Sequence, residues 1–394
     1  CLSGDLSKFI DFGYHPIAHH YILSVEEIKP NSNIPIILGQ CTNCGTIQLE
    51  QISDINCYEV RFPWVRQNEP EAHLDGLVQK IVSLPDINNR SPIWGLSYKD
   101  KSTVERFRKL GFTNCKTMDY ATLFDSKDQI NNITMIQSFI TERRIDELQK
   151  SFGTPKIVIS RHLLEHAHNT HKYFKAIKKL VSTGSYVVIE IPECSKLINN
   201  LDYTMLWEEH ITYFTENILE IVLNMYKMKI LYMTIERYQY EDCLIIILID
   251  GDGKNRTFEK EKSIYAFNKY VDSFQIVKDK IYSLFNRMKL NGQKLAIYGS
   301  GHIASTFINI FDLSEHIEFL IDDDKNKEGL FMPGNGLPVF SSDKIIEEKI
   351  DVCFIAMSYE NEQKVIEKNQ GFINNGGQFV PISTIAPNSI YNML

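Results

Sequence analysis

Apolar residues recur along this chain in two periods, and the period switches repeatedly. Glu71 to Leu84 carries Leu74, Leu77, Val78, Ile81 and Leu84 at helical spacing, which gathers them on one face. Pro92 to Ser97 predicts a first strand, and Thr103 to Leu110 a helix closed by Gly111. Further strands are predicted over 114–119, 133–140, 156–160, 185–191, 230–235 and 243–249, with helices such as Thr170 to Leu180 between them. This alternation predicts a mostly parallel sheet covered on both faces. Residues 1 to about 65 read instead as short strands and turns. A polar break at Gly251 to Asn255 precedes a long helical pattern, Thr257 to Leu290, which Asn291-Gly292 ends. A second α/β unit then starts: strand Lys294 to Gly299, helix His302 to Phe311, strand Ile317 to Ile321 and a later strand Val352 to Ala356. The expected domains are 1–65, 66–255, a helical connector 256–290, and 291–394.

Composition narrows the class. The 394 residues suffice for two or three cores, and 43% hydrophobic with 23% charged residues is ordinary for a soluble globular protein. The net charge of −8, with signs mixed, lacks the basic stripe of a nucleic-acid binder. The longest apolar run, Cys243 to Ile249, is a buried-strand length and far below the roughly 18 residues of a membrane span. No nucleic acid and no membrane are therefore expected as partners. Eight cysteines with one close pair make no disulfide framework, so a reducing cytoplasm is expected. The chain opens at Cys1, read as a chain lacking a few upstream residues rather than as a lipidated cysteine. Structured sequence begins almost at once, at Phe9-Ile10-Asp11-Phe12-Gly13.

Four motifs carry candidate chemistry. Cys41-x-x-Cys44-Gly45 has the spacing and turn glycine of half a tetrahedral zinc site, with Cys1 as a third ligand. The alternative is a pair of plain buried thiols. Gly299-Ser300-Gly301-His302-Ile303-Ala304 follows a strand, opens a helix and precedes Asp322 and Asp323 by about 20 residues. That fits a dinucleotide fingerprint for NAD, or a glycine turn needed only for packing. Arg161 to His166 follows a strand and brings His162, His166 and His168 close together, read as a loop lining a ligand cleft. Leu206 to Thr215 places Glu208, Glu209 and His210 among Trp207, Tyr213 and Phe214. A histidine beside a carboxylate in a partly dry cleft is a general-base candidate, and a solvated helix start is the bland alternative.

The stretches Arg161 to His166, Leu180 to Pro192 and Trp207 to Phe214 resemble the nucleotide-sugar C-methyltransferases, which use S-adenosylmethionine to build branched deoxysugars. The likeness extends to the Cys41 knuckle and to Tyr298 to Gly301. The resemblance implies an α/β protein: a class I methyltransferase-like, Rossmann-type central domain between a small N-terminal zinc-binding domain and a C-terminal Rossmann-like domain. It implies a structural zinc on Cys1, Cys41 and Cys44, a nucleotide-sugar or related substrate, and no redox role for Gly299 to Ala304. It assigns proton abstraction beside a sugar ketone to His210 and Glu209, with Tyr213 helping to bind sugar or stabilise an enolate.

The donor turn departs from the family. Where an E-x-G-x-G motif is expected, the sequence runs Ile93-Trp94-Gly95-Leu96-Ser97-Tyr98-Lys99-Asp100-Lys101, with one glycine and bulky or charged neighbours. Gly95, Ser97 and His162 remain the donor-side candidates, with Asp119 for a ribose. Asn68, Glu69, Glu71 and His73 are read either as facing the cleft or as acids at a helix N-terminus. Methyl transfer to a nucleotide-linked sugar or related metabolite is the leading expectation. A methyltransferase-like protein without donor binding, acting by acid/base chemistry or as a binding partner, is the second. An NAD-dependent oxidoreductase is the third.

Overall fold

The structure is a computed structural model and describes residues 4–28, 33–65, 69–119, 132–238, 241–253 and 260–394. Cys1 and Asn68 lie outside these. Three sheets organise the chain. The first comprises β1 (Leu6–His15), β2 (Ile34–Cys41) and β3 (Ile47–Leu49), all antiparallel, and a distant fourth strand, β8 (Thr212–Tyr213), that pairs with β3. The N-terminal segment therefore completes its sheet with the strand that follows His210.

The second sheet has the order β5-β4-β6-β7-β10-β9. Its parallel half is β4 (Ile93–Gly95), β5 (Cys115–Thr117), β6 (Ile157–Arg161) and β7 (Tyr186–Glu193). β10 (Asp242–Asp250) and the edge strand β9 (Met228–Glu236) run antiparallel to their neighbours. Near-continuous apolar runs such as Val187 to Ile189 and Leu244 to Leu248 follow from burial on both faces. One face packs against helix Leu74–Val82 through Leu74, Leu77, Val78 and Ile81. The other packs against helix Thr170–Ser182 through Phe174, Ile177 and Leu180. Chain order reverses direction between β4 and β6, and α/β sheets bind ligands at the carboxyl edge of such a switch point.

The third sheet is wholly parallel: β13 (Val339–Phe340), β12 (Phe319–Ile321), β11 (Leu295–Tyr298), β14 (Val352–Ile355) and β15 (Gln378–Pro381), in that order. Helix Lys260–Leu290 leads into it, and its Phe267, Tyr270 and Phe285 share one core with Leu38 of the first sheet and Phe354 of the third.

One predicted element changes type. Residues 133–140 hold a helix, Ile133–Gln137, rather than a strand. The β-branched run suggested extension, but Asn132 accepts the Thr134 N–H and caps a helical turn. The Asn132 amide also bonds the Tyr58 carbonyl and fixes the entry of that turn.

Candidate active site

The site forms where the carboxyl ends of β4, β6 and β7 meet the loop 207–211. Tyr213 anchors that loop: its hydroxyl donates to the Trp207 carbonyl at 3.0 Å and accepts from the Trp207 N–H at 3.2 Å. Both hydrogen-bonding directions are engaged in the turn, so Tyr213 shapes the loop rather than facing a ligand through a free hydroxyl.

Glu208, Glu209 and His210 are all buried, and no helix starts there. Successive residues in the turn point to different partners. Glu208 accepts the Ala18 N–H at 2.5 Å and lies 3.1 Å from His302 Nδ1. Burial opposes its ionisation, but His302 and the Ala18 amide hold the carboxyl down at about 2. Glu209 lies 3.1 Å from His19 Nδ1, accepts from Thr134 Oγ1 at 3.2 Å and stands 3.8 Å from His166 Nδ1. Glu209 does not bond the adjacent His210. Its carboxylate turns to His19 and His166 instead.

His210 is held by rings. Trp207 lies at 5.7 Å between centroids, Tyr213 at 6.1 Å, and His166 edge-on at 4.8 Å. Among the described residues, no hydrogen bond fixes its imidazole. Burial, reinforced by His166, His302 and His162, keeps it neutral well below the usual histidine range. It borders a water-sized void of about 10 Å³ with Glu193, Cys194, Met205, Tyr213 and Glu241. The imidazole is thus in the neutral form, which leaves one ring nitrogen to accept a proton, and it borders a void.

His162 has the opposite charge state. It sits at φ +48° after β6, 3.2 Å from Glu165 and 3.1 Å from Glu190. Burial disfavours its cation, but Glu69, Cys243, Glu165 and Glu190 raise its pKa well above the ordinary value. Arg161, 1% exposed, places Nε 2.9 Å and Nη2 3.1 Å from the two oxygens of Glu190, and donates Nη1 to the Lys99 carbonyl at 2.9 Å. His73 approaches Glu190 at 3.0 Å from the other side. In the sequence, Arg161 and Glu190 stand only as flanks of the strand patterns. Their opposite charges in register on adjacent parallel strands are the available signal.

At the donor turn, a Cβ on Gly95 would meet the Asp100 Cβ at 2.7 Å. The Asp100 carboxylate accepts the Ser97 N–H at 2.7 Å and the Arg161 N–H at 2.8 Å. Ser97 Oγ in turn accepts the Lys99 N–H at 3.2 Å. Gly95 and Ser97 therefore serve the turn's own packing, and the backbone cradle expected of them is engaged internally. Beside the turn, Lys99 Nζ and Glu69 Oε1 form a largely sheltered pair at 2.8 Å. Asp119 follows β5 and is exposed.

The C-terminal glycine turn is likewise engaged. The Asp322 carboxylate accepts from the Ser300 N–H at 3.0 Å and from its hydroxyl at 2.8 Å, Tyr21 donates to the Ser300 carbonyl at 2.6 Å, and Lys327 pairs with Asp322. Gly299 has φ +96°, and a Cβ there would meet the Ala356 carbonyl oxygen at 2.6 Å. The turn's glycine is a packing requirement. His302 stacks on Trp207 beside it and joins this turn to the loop of His210. A cleft of about 190 Å³ opens here between Ala18, Tyr21, Trp64, Trp207, His302 and Lys327.

The Cys41 and Cys44 side chains are buried, and the Asn43 and Cys44 amides point at the Cys41 sulfur. Cys44 Sγ lies 3.1 Å from Thr46 Oγ1. Two thiols on a turn closed by Gly45 at φ +77° fit half of a tetrahedral zinc set. Among the described residues, no helix is long and apolar enough to cross a membrane.

Comparison with known proteins adds the class. Residues 102–225 match a family described as a methyltransferase domain, and residues 255–382 match the C-methyltransferase C-terminal domain. Together these stretches, set around the site just described, define a methyltransferase. The chain is 17% identical over 396 residues to the C-methyltransferase NovU of Streptomyces niveus, covering 96% of this chain and 93% of that one. Among solved structures, a magnesium protoporphyrin IX methyltransferase from Synechocystis with bound SAH aligns at 11% identity and TM-score 0.28, over 46% of this chain and 83% of that one. A phosphoethanolamine N-methyltransferase 2 of Haemonchus contortus, in complex with S-adenosyl-L-methionine, aligns at 10% identity and TM-score 0.25, over 72% and 67%. The C-terminal match includes Gly299 to Ala304, so the oxidoreductase reading of that turn gives way to the C-methyltransferase one.

Proposed function

We propose that the protein methylates a carbon of a small polar acceptor, a nucleotide-linked sugar or related metabolite, after His210 removes a proton beside a carbonyl. The observation that supports this reading is a neutral His210, free of hydrogen bonds to described residues, at the junction of the three sheets. The 190 Å³ cleft behind Trp207 offers Trp64 and Trp207 as aromatic walls, with Asp324 and the Asp322-paired Lys327 as polar lining, a set suited to a polar sugar.

The acceptor C–H proton passes to a His210 ring nitrogen, and the electron pair moves into the adjacent carbonyl. Charged His162, near enough to act on His210 electrically, favours the negative charge that develops on the acceptor. Trp207 and Tyr213 keep the imidazole flanked by apolar surface, which excludes competing water. Glu209 acts at one remove, by holding His166 and His19 in place. S-adenosylmethionine, when bound, supplies an electrophilic methyl group on its sulfonium. Lys99 and Glu69 give its amino-acid end two opposite charges to meet. Zinc, when bound, cross-links the knuckle at Cys41 and Cys44.

The test is proton exchange. In deuterated water, a ketone-bearing nucleotide sugar should take up deuterium beside its carbonyl with wild-type protein and not with His210→Gln. Equal exchange by both proteins removes His210 as the base.

A further inference from the structure

We propose that Glu241 carries the reaction's proton from His210 to solvent, through one water molecule seated in the void that both residues border. This rests on His210 as the base and supplies the step that must follow it. When an acceptor carbon–hydrogen bond is replaced by a carbon–methyl bond, and the methyl's former sulfonium becomes a thioether, one proton is left over. His210 can serve again only after that proton has gone.

The surroundings of His210 define the route. It is 8% exposed, and Trp207, Tyr213 and His166 set their rings around it. The void of about 10 Å³ beside it matches one water molecule. A water in such a place is held by about two to four polar partners. Most polar groups on the wall are already engaged. The Glu193 carboxylate accepts the Ser195 hydroxyl at 2.7 Å, the Ser195 N–H at 3.0 Å and the Glu216 N–H at 3.2 Å. The Tyr213 hydroxyl bonds Trp207 in both directions. Lys196 donates to Asp242 at 2.5 Å and to the Tyr238 carbonyl. Neither His210 nor Glu241 has a hydrogen bond or ion pair to a described side chain, so these are the partners left for the water.

The sheet fixes where Glu241 stands. It directly precedes β10, whose first residue, Asp242, lies opposite Glu193 of β7. Asp242 is buried and held by Lys196 and Arg237, which pins the backbone from which Glu241 projects. Glu241 and Lys196 are both partly exposed, so the void reaches solvent on their side. Proton affinities run the same way. Burial, then Glu69, holds the Glu241 carboxyl up at about 8, whereas His210 stays well below the ordinary histidine range. The proton therefore moves downhill from the imidazolium to the Glu241 carboxylate, and then leaves a group that titrates near ambient pH. The neighbouring His166 is held at about 3 and is the weaker acceptor. Each transfer moves one proton, from His210 to the water, from the water to Glu241 and from Glu241 to bulk solvent, and no group is oxidised or reduced.

The experiment compares two rates in the whole chain. In deuterated water with S-adenosylhomocysteine present, deuterium enters beside the carbonyl of a ketone-bearing nucleotide sugar only as fast as His210 trades its proton with solvent. With S-adenosylmethionine and protein in excess, the first methyl transfer needs the proton to go no further than His210. Glu241→Gln should slow exchange about 10²-fold, the scale of one lost proton-transfer group. It should leave the first turnover within about twofold of wild type, since single-turnover kinetics isolates the chemical step. Glu241→Asp, which keeps the carboxyl, should retain part of the exchange and serves as the folding control. Glu241→Ala should regain exchange when formate is added, which a purely structural role would not allow. Exchange at the wild-type rate in Glu241→Gln overturns the relay, and so does equal slowing of both rates. A folded wild type that exchanges nothing overturns the reading of His210 as the base, and the relay with it.

Discussion

Trp207 and His302 lie face to face, with ring centroids 3.7 Å apart and planes within 5°. The contact ties the loop of the base to the first turn of a helix in the C-terminal sheet, and both rings border the cleft. Trp207→Leu should raise KM for the acceptor about tenfold, the scale of one lost aromatic stack. Binding of S-adenosylhomocysteine should stay unchanged. Steady-state kinetics beside calorimetry separates the two, and a donor-side loss would place Trp207 elsewhere in the reaction.

His210→Gln should lower turnover by about 10²- to 10⁴-fold, the range for a lost general base. Donor affinity should hold. The acid limb of the wild-type rate profile should lie below the ordinary histidine value near 6.5, because burial and neighbouring histidines keep His210 neutral. A limb at or above 6.5 would mean that another group titrates.

Stability should fall in acid, and His166 should contribute to that fall. Burial, then Lys99 and His162, depress His166 to about 3. The unfolded chain takes up this proton near 6.5, so between about 6.5 and 3 it binds more protons than the native state. Native stability therefore drops as pH falls through that window. His162 acts oppositely, with its contribution complete below about 6.5 and lost as pH rises through its raised native value. Urea melts should show His166→Leu losing less stability than wild type between about pH 7 and pH 4. Parallel losses would show that His166 is not the group being charged.

The Arg161–Glu190 clasp should reveal itself by its failure. Arg161→Met leaves the Glu190 carboxylate buried beside fewer cations and should cost about 3–5 kcal/mol. Adding Glu190→Leu should restore only part of this, since His162 and His73 lose Glu190 as well. Equilibrium denaturation of the three variants makes the comparison.

Much of this architecture is legible in the sequence because its strands are buried on both faces. Runs such as Cys243 to Ile249 and Val187 to Ile191 identify themselves by apolarity alone, and the predicted strand at Lys156 to Ser160 agrees with β6 to within one residue at each end. Residues 133–140 misled because β-branched residues favour extension locally, while a cap from Asn132 decides the matter. The site was legible as a set of residue types and not as a set of directions. Nothing local in Glu208-Glu209-His210 says that three neighbours reach His302, His19 and a void. Those directions are set by partners up to 190 positions away, as with Glu208 and Ala18. The donor turn showed the converse. Its missing glycines were plain, but the reason Gly95 survives, the close approach of Asp100, required three dimensions.

The pairing of β3 with β8 has a consequence for how the chain is made. When a ribosome has released Ile47–Leu49, one edge of the first sheet still lacks its neighbour, and that neighbour is Thr212–Tyr213. An unpaired edge invites association with other nascent strands. The edge stays open until nearly all of the strands and helices that build the switch point have emerged. The strand that closes it lies next to His210, so the base reaches its working position in the same event that seals the sheet. Deletions that remove either strand should be expected to aggregate during synthesis as well as to lose activity.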